Sequence, residues 1–233
     1  MKDLYKKELS YYLNNTIGYI VIILFAVFAN FFFVKDLFVI GSASMKSFFN
    51  ISTWFLVIFI PALTMRTIAE EKRANTLEIL LTLPISETQI VLAKFLSLLT
   101  LLVIAFSLTL GLPISLSFIS NLYLPEILIG YMGMIFLGGI FIALSMFSSS
   151  LTKNQVVAFL SSVIVLFLAL VLGRDFMATI FPKFILDFLN YFSPLYHLEN
   201  FIKGLLDLRS IFYFLSLTII FIFLTITNLE KRE

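Results

Sequence analysis

Residues 66–94 read RTIAEEKRANTLEILLTLPISETQIVLAK, a charged, amphipathic island between two apolar runs. The run before it, 48–65, has no charged residue, and neither has the run after it, 95–125. A segment this polar between two spans reads as a contact surface. Within it, 68–73 can extend the preceding helix out of the membrane. Asn75 then makes a break, because asparagine tolerates a left-handed backbone and is a good helix N-cap. Glu78 stands three residues on, as in a capping box. The spacing predicts a short helix over 76–82, with Leu77, Leu80 and Leu81 on its apolar face and Pro84 ending it. Ser86 and Gln89 form a second capping box that opens the next span. Lys94 is expected to snorkel to the headgroups one to two turns in. The polar rim of the island is Glu70, Glu71, Lys72, Arg73, Thr76 and Glu78.

Composition places the whole chain in the membrane. Of 233 residues, 61% are hydrophobic and 13% charged, and the mean hydropathy is +1.06. A soluble domain carries about 25% charged residues. Helical spans need about 20 apolar residues each, and only helices and closed barrels satisfy every backbone polar group in lipid. The expected fold is all-α, with six spans near 17–34, 47–65, 90–117, 125–150, 155–174 and 210–228. The third is interrupted near Gly111 and Pro113. In the fourth, Gly139 and Ala143 share a face that admits close packing. The run 17–34 reads as a permanent span and not a cleavable signal. Residues 1–233 are expected to form a single permease domain, comprising an interfacial helix at 1–16, a cytoplasmic segment at 66–89 and an outer loop at 175–209.

Six spans put both termini on one side. Termini inside would place ten Lys and Arg in cytoplasmic segments, against six outside, which favours that orientation. Segment 2–15 reads as an amphipathic helix in the inner interface, with Lys6, Lys7 and Glu8 on its polar side. In the outer loop, Pro182 and the repeat Phe184, Ile185, Phe188, Leu189 and Phe192 predict one helix. Ser193-Pro194 breaks it, and a second amphipathic stretch runs to Gly204. Such helices either lie at the interface or turn back on the core.

The island resembles the cytoplasmic segment of ABC-2 type permeases. The shared pattern is an acidic-basic cluster, then Gly-Thr-Leu-Glu, a leucine pair, a small-Pro-hydrophobic-Ser step and a Lys in the next span. The chain is similar to short permeases of the gliding-motility and nitrous-oxide-reductase maturation type. Residues 193–217, SPLYHLENFIKGLLDLRSIFYFLSL, resemble their last loop and final span. One departure is Asn75, where the family has glycine. The resemblance implies a coupling helix that docks on a separate ABC ATPase subunit through Glu70, Glu71, Lys72, Arg73, Asn75, Thr76, Leu77 and Glu78. It further implies a homodimer or a heterodimer with a similar chain in the inner (cytoplasmic) membrane, working in export. The outer-loop helices would line or close the outer exit.

Other classes fit less well. No G-x-x-x-x-G-K-[ST] occurs, so ATP is expected in the partner subunit and no cofactor in this chain. The net charge of +2 does not point to nucleic acid. An intramembrane hydrolase needs a nucleophile, base or metal set in the spans. The single histidine, His197, falls in the outer loop and reads as a hydrogen-bonding residue. An ion-coupled transporter or channel would carry ionisable residues deep in its spans, where this chain has Asn30, Ser52, Thr53 and Ser145. A structural anchor remains as an alternative, but it does not need a capped helix with an apolar docking face. Membrane lipid is the remaining expected partner.

Overall fold

The computed structural model describes residues 1–40, 44–81, 85–118, 123–171 and 191–231. Among them every regular element is helical: α1 (Lys2–Asn14), α2 (Thr16–Ile40), α3 (Lys46–Thr64), α4 (Ala69–Arg73), α5 (Thr76–Leu81), α6 (Glu87–Thr109), α7 (Gly111–Ser117), α8 (Leu124–Leu151), α9 (Gln155–Val171), α10 (Pro194–Ile202) and α11 (Leu208–Glu230). Five stretches are long and apolar enough to cross a membrane: Gly18–Phe38, Lys46–Arg73, Glu87–Ser117, Leu124–Leu151 and Leu208–Glu230. The remaining expected span, 155–174, is described through Val171 as a 17-residue apolar helix. The helix expected from Pro182 falls almost wholly outside the described residues.

The bundle is organised around α8. Of its most apolar eighteen-residue stretch 72% is buried, against 28% for α2 and 22% for α11. Those two helices therefore present most of their side chains outward, including Phe28, Phe31 and Phe38 on α2 and Phe212 and Phe223 on α11. The inward phenylalanines share an edge-to-face network. Phe25 packs on Phe106, Phe106 on Tyr131, Tyr131 on Phe49, and Phe49 on Phe48, at centroid separations of 5.4 to 5.9 Å. That chain of rings joins α2, α6, α8 and α3. Aromatic pairs at this spacing add about 0.5–1.5 kcal/mol each beyond simple burial.

Glycine on α8 makes these approaches possible, though not where the 139/143 pair suggested. A Cβ at Gly139 would lie 3.8 Å from the Thr218 hydroxyl, an ordinary contact. A Cβ at Gly130 would stand 2.3 Å from the Phe49 ring, one at Gly133 2.5 Å from Phe201 Cβ, and one at Gly138 2.2 Å from Leu102. The packing partners are large side chains seated in the glycine notches.

The break expected at Gly111 and Pro113 is present: α6 stops at Thr109 and α7 resumes at Gly111. Thr109 and Tyr131 share a hydrogen bond of 3.0 Å at that joint. At the same end, α10 begins with Pro194 in its first turn. It closes in a Schellman turn, Gly204 N–H donating to the Phe201 carbonyl and Leu205 N–H to that of Asn200, both at 2.9 Å. Gly204 has φ +78 and sits where any Cβ would come within 3.0 Å of the Glu126 backbone nitrogen. Leu195, Leu198, Phe201 and Ile202 join the main core, so this helix turns back onto α8. His197 is buried, 3.0 Å from the Tyr191 carbonyl and 3.1 Å from Ser210 Oγ, the hydrogen-bonding role expected of it.

Gly130→Ala should destabilise the fold by about 1–3 kcal/mol, the range for overpacking. A thermal-shift series in detergent should show that Phe49→Leu costs less in the Gly130→Ala background than alone. Strictly additive losses would contradict the notch.

Candidate functional site

The island folds as three short pieces joined by defined breaks. Helix α3 runs past Pro61 to Thr64, and the Thr64 hydroxyl donates to the Ile60 carbonyl at 3.0 Å. The backbone then departs from helix over 65–68, leaving polar groups to be satisfied. Ser149 on α8 meets them. Its hydroxyl accepts from the Ala69 N–H at 3.1 Å and lies 3.3 Å from the Met65 carbonyl oxygen. Helix α4 follows, and Ala74 N–H closes it on the Glu70 carbonyl. Asn75 has φ +56, the one left-handed non-glycine residue among those described, so the expected break falls there. Helix α5 begins at Thr76. Ser86 caps α6 by accepting from the Gln89 N–H at 3.4 Å. Pro84 and the side chains of Glu78 and Leu81 lie outside the described residues.

A buried charge cluster fastens this segment. Lys94 is 1% exposed, its ammonium donating to Glu71 at 2.6 Å and to Glu8 at 3.0 Å. It does not snorkel. Seven residues into α6, about 10 Å along the axis, its side chain points into protein and is met by carboxylates from α4 and α1. Glu8 is itself 7% exposed. An ammonium in such a place demands partners, because stripping its water costs several kcal/mol. Two charge-assisted hydrogen bonds supply them. With two carboxylates and one ammonium the cluster carries formal charge −1.

Around the cluster, α1 is tied down at three further points. The Tyr5 and Thr100 hydroxyls are 2.8 Å apart. The Tyr12 hydroxyl donates to the Leu63 carbonyl at 3.1 Å. Burial, with Glu8 adding to it, pushes the Tyr12 phenol well above its ordinary value, so this donor stays protonated. Leu4 packs with Leu80, Ile90 and Ala93 in a small apolar cluster of their own. Leu80 thus brings α5 into one apolar cluster with α1 and α6.

The expected rim residues therefore divide. Arg73, Asn75 and Thr76 are exposed, and Glu70 is partly so. Glu71 turns inward to Lys94. Lys72 is 4% exposed and its ammonium donates to the Ser150 carbonyl at the end of α8. Leu77 is buried in the main core and Leu80 in the small cluster, so these two leucines of the expected apolar face are covered by this chain. Glu8, assigned from sequence to the polar side of α1, belongs to its buried side. The spacing Leu4, Glu8, Tyr12, every fourth residue, could have revealed it. Ser149, Ser150 and Asn228 also escaped the sequence reading. Asn228 donates to the Ser150 carbonyl and hydroxyl, both at 2.9 Å. The triplet Ser148–Ser150 closing an apolar helix was the available signal.

The described residues hold no group of three or more His, Cys, Asp or Glu placed to bind a metal ion. What the arrangement can do is mechanical. It joins one projecting turn to α1, α6 and α8 through directional polar contacts. No curated protein matches the chain. Residues 3–233 match the family described as ABC-2 family transporter protein. A multi-pass helical chain matched over nearly its whole length, with a capped polar segment braced against its spans, belongs to the ABC-2 transporter family and is a membrane permease of that family.

Proposed function

We propose that this chain is the membrane-spanning half of an ATP-driven exporter whose ATPase is a separate polypeptide docking on 66–89. The exposed tip formed by Glu70, Arg73, Asn75 and Thr76, standing on a base that is itself buried and ion-paired, is the observation that carries the reading. A solvated loop has no need of such a base, and a membrane anchor has no need of such a tip. In this reading six spans cross the inner membrane, with α9 among them and both termini in the cytoplasm. Two such chains, identical or similar, form the pathway. ATP is held by the partner, and no cofactor by this chain. Glu78 belongs to the docking surface, while Glu71, Lys72 and Leu77 serve it from beneath.

Mechanism follows from the connections. A push on the tip moves α4 and α5 together, since the Asn75 turn joins them. Glu71 passes the displacement to α6 through Lys94, and Glu8 carries it to α1. Lys72 and the Ser149 hydroxyl pass it to the end of α8. The spans α6 and α8 shift together with α1.

Because the chain has no cysteine, a single cysteine at Thr76 reports docking directly. It should crosslink to the ATPase subunit in isolated membranes, with a yield that changes between ATP-bound and nucleotide-free states. If no position from 70 to 78 crosslinks in an intact complex, the docking reading fails. Arg73→Glu should reduce stimulation of the ATPase without affecting membrane insertion.

Lys94→Met leaves two carboxylates facing one another in a dry site. It should lower stability by about 3–5 kcal/mol, as for a broken buried pair, seen as lost monodisperse protein after detergent extraction. Combining it with Glu8→Gln and Glu71→Gln removes the stranded charge and should recover folded protein. That triple variant should still bind the ATPase, but hydrolysis and transport should no longer be linked in proteoliposomes.

A further inference from the structure

Helix α10 packs on the first half of α8, where Gly133 receives Phe201 and Glu126 receives Gly204, away from the Ser149–Ser150 end that meets α4. There a polar chain joins α10 to the start of α11. His197, the single histidine of the sequence, is buried. Its Nε2 lies 3.0 Å from the Tyr191 carbonyl oxygen and its Nδ1 3.1 Å from Ser210 Oγ. Ser210 Oγ is in turn 3.3 Å from Asp207 Oδ2. Asp207 caps α11 by accepting from the Arg209 N–H at 3.0 Å, and Asn200 donates to it at 3.3 Å. The hydroxyl stands between imidazole and carboxylate, whereas a hydrolytic triad places the imidazole in the middle. The order suits holding a proton and not activating an alcohol.

Hydrogen-bond accounting shows which form of the ring fits. A carbonyl oxygen only accepts, so Nε2 carries a hydrogen, and in the neutral ring Nδ1 is then an acceptor. Ser210 has one proton and faces two acceptors, Nδ1 and Asp207 Oδ2. Whichever it serves, the other contact sets lone pair against lone pair. A second ring proton removes the conflict: Nδ1–H donates to Ser210, and Ser210 donates to Asp207. Tyr213 stacks on the ring at a centroid separation of 4.0 Å, and an aromatic face attracts a cation. Tyr191, Tyr196 and Phe214 surround it edge to face at 5.6 to 6.4 Å. Burial opposes the charge, while the added bond, Asp207 and Tyr213 favour it. The other titratable groups described on these elements are engaged elsewhere or face solvent. Glu199 and Lys203 pair with each other at 3.5 Å, and Arg209 is exposed. On α8, Glu126 is met by Ser44 and Lys46 and Tyr131 by Thr109. Helix α9 carries none.

We propose that His197 is a proton-binding latch between α10 and α11. With the proton bound, the chain from the Tyr191 carbonyl through His197 and Ser210 to Asp207 is complete and seats α10 on the start of α11. Loss of the proton breaks one of its links and lets the two helices part more readily. The sign follows from linkage: a proton held more tightly in the seated form favours seating in acid, and seating weakens as pH rises. In the orientation proposed above, this end of the bundle faces away from the cytoplasm, so the proton comes from outside. The latch itself depends neither on that orientation nor on what docks on 66–89.

One histidine makes the test direct. The full chain, labelled with nitrogen-15 histidine and held in detergent micelles, gives the NMR signals of a single imidazole across about pH 5 to 9, a range that brackets histidine titration. In acid both ring nitrogens should carry hydrogen, and in alkali Nε2 alone. Spin labels on Glu199→Cys and Phe212→Cys, both exposed in a chain without cysteine, report the seating of α10 on α11. Their distance distribution should be narrow in acid and should broaden or lengthen as the ring loses its proton. Asp207→Asn should move both transitions to lower pH, because the anion at the end of the chain is gone. Ser210→Ala should leave the ring titrating while the label distance no longer follows it. A distance that stays constant across the range, or changes where the ring does not, would overturn the latch. So would a neutral ring that carries its hydrogen on Nδ1, or transitions unmoved by Asp207→Asn.

Discussion

One ammonium group organises the end of the bundle where α1 lies. Lys94 is held inside protein, and this is tolerable only while both Glu8 and Glu71 are in place. The requirement runs both ways. Neither carboxylate could sit at its present exposure without the lysine. Three elements far apart in sequence, α1, α4 and α6, are therefore positioned by a single electrostatic demand. Hydrophobic contacts such as Leu4 with Leu80 could be satisfied in several registers. A 2.6 Å bond from an ammonium to a carboxylate oxygen cannot.

The second organising point is the end of α8. A helix C-terminus leaves carbonyls without intrahelical partners and carries partial negative charge. Here the Ser150 carbonyl receives both Lys72 and Asn228, while Ser149 serves the broken backbone after α3. The most buried helix thus presents its polar terminus to two neighbours. Glycine notches along α8 fix the remaining contacts, at Gly130 with Phe49 and at Gly133 with Phe201. Helix α4 is consequently joined to the core through the Lys72 contact as well as through Lys94.

The membrane class and most helices were legible because hydropathy and capping are local. Asn75 is the clearest case: a residue type that tolerates the left-handed backbone marked the turn, and φ +56 is found there. Ser86 was legible for the same reason. Pro194 and Gly204 bracketed α10, but whether it turned back on the core was not decidable, since its amphipathic face suits either surface. Where the reading failed, the cause was distance. Lys94 near a helix start looks the same whether it reaches out to headgroups or in to carboxylates, and only Glu71 and Glu8, 23 and 86 residues away, decide it. Glu71 and Lys72, adjacent to the exposed Glu70 and Arg73, could not be told apart from them by composition. Leu77 was read correctly as apolar and wrongly as free, because the sequence cannot say which surface covers a stripe.

The division of that island into exposed and buried halves has a physical consequence for any load applied to it. Charged residues that were all on the rim would make a surface able to bind but not to transmit. Residues all turned inward would brace the segment and leave nothing to hold. Alternation along α4, with Glu70 and Arg73 outward and Glu71 and Lys72 inward, is what one helical turn provides. Five residues are enough because the inward pair reaches two different spans, α6 and α8, and each contact is directional. A rotation of α4 about its own axis would break both, whereas a translation of the whole segment preserves both and moves the spans. Under the proposed docking, a load on the exposed tip would therefore reach α6 and α8 by translation of the segment and not by rotation of α4.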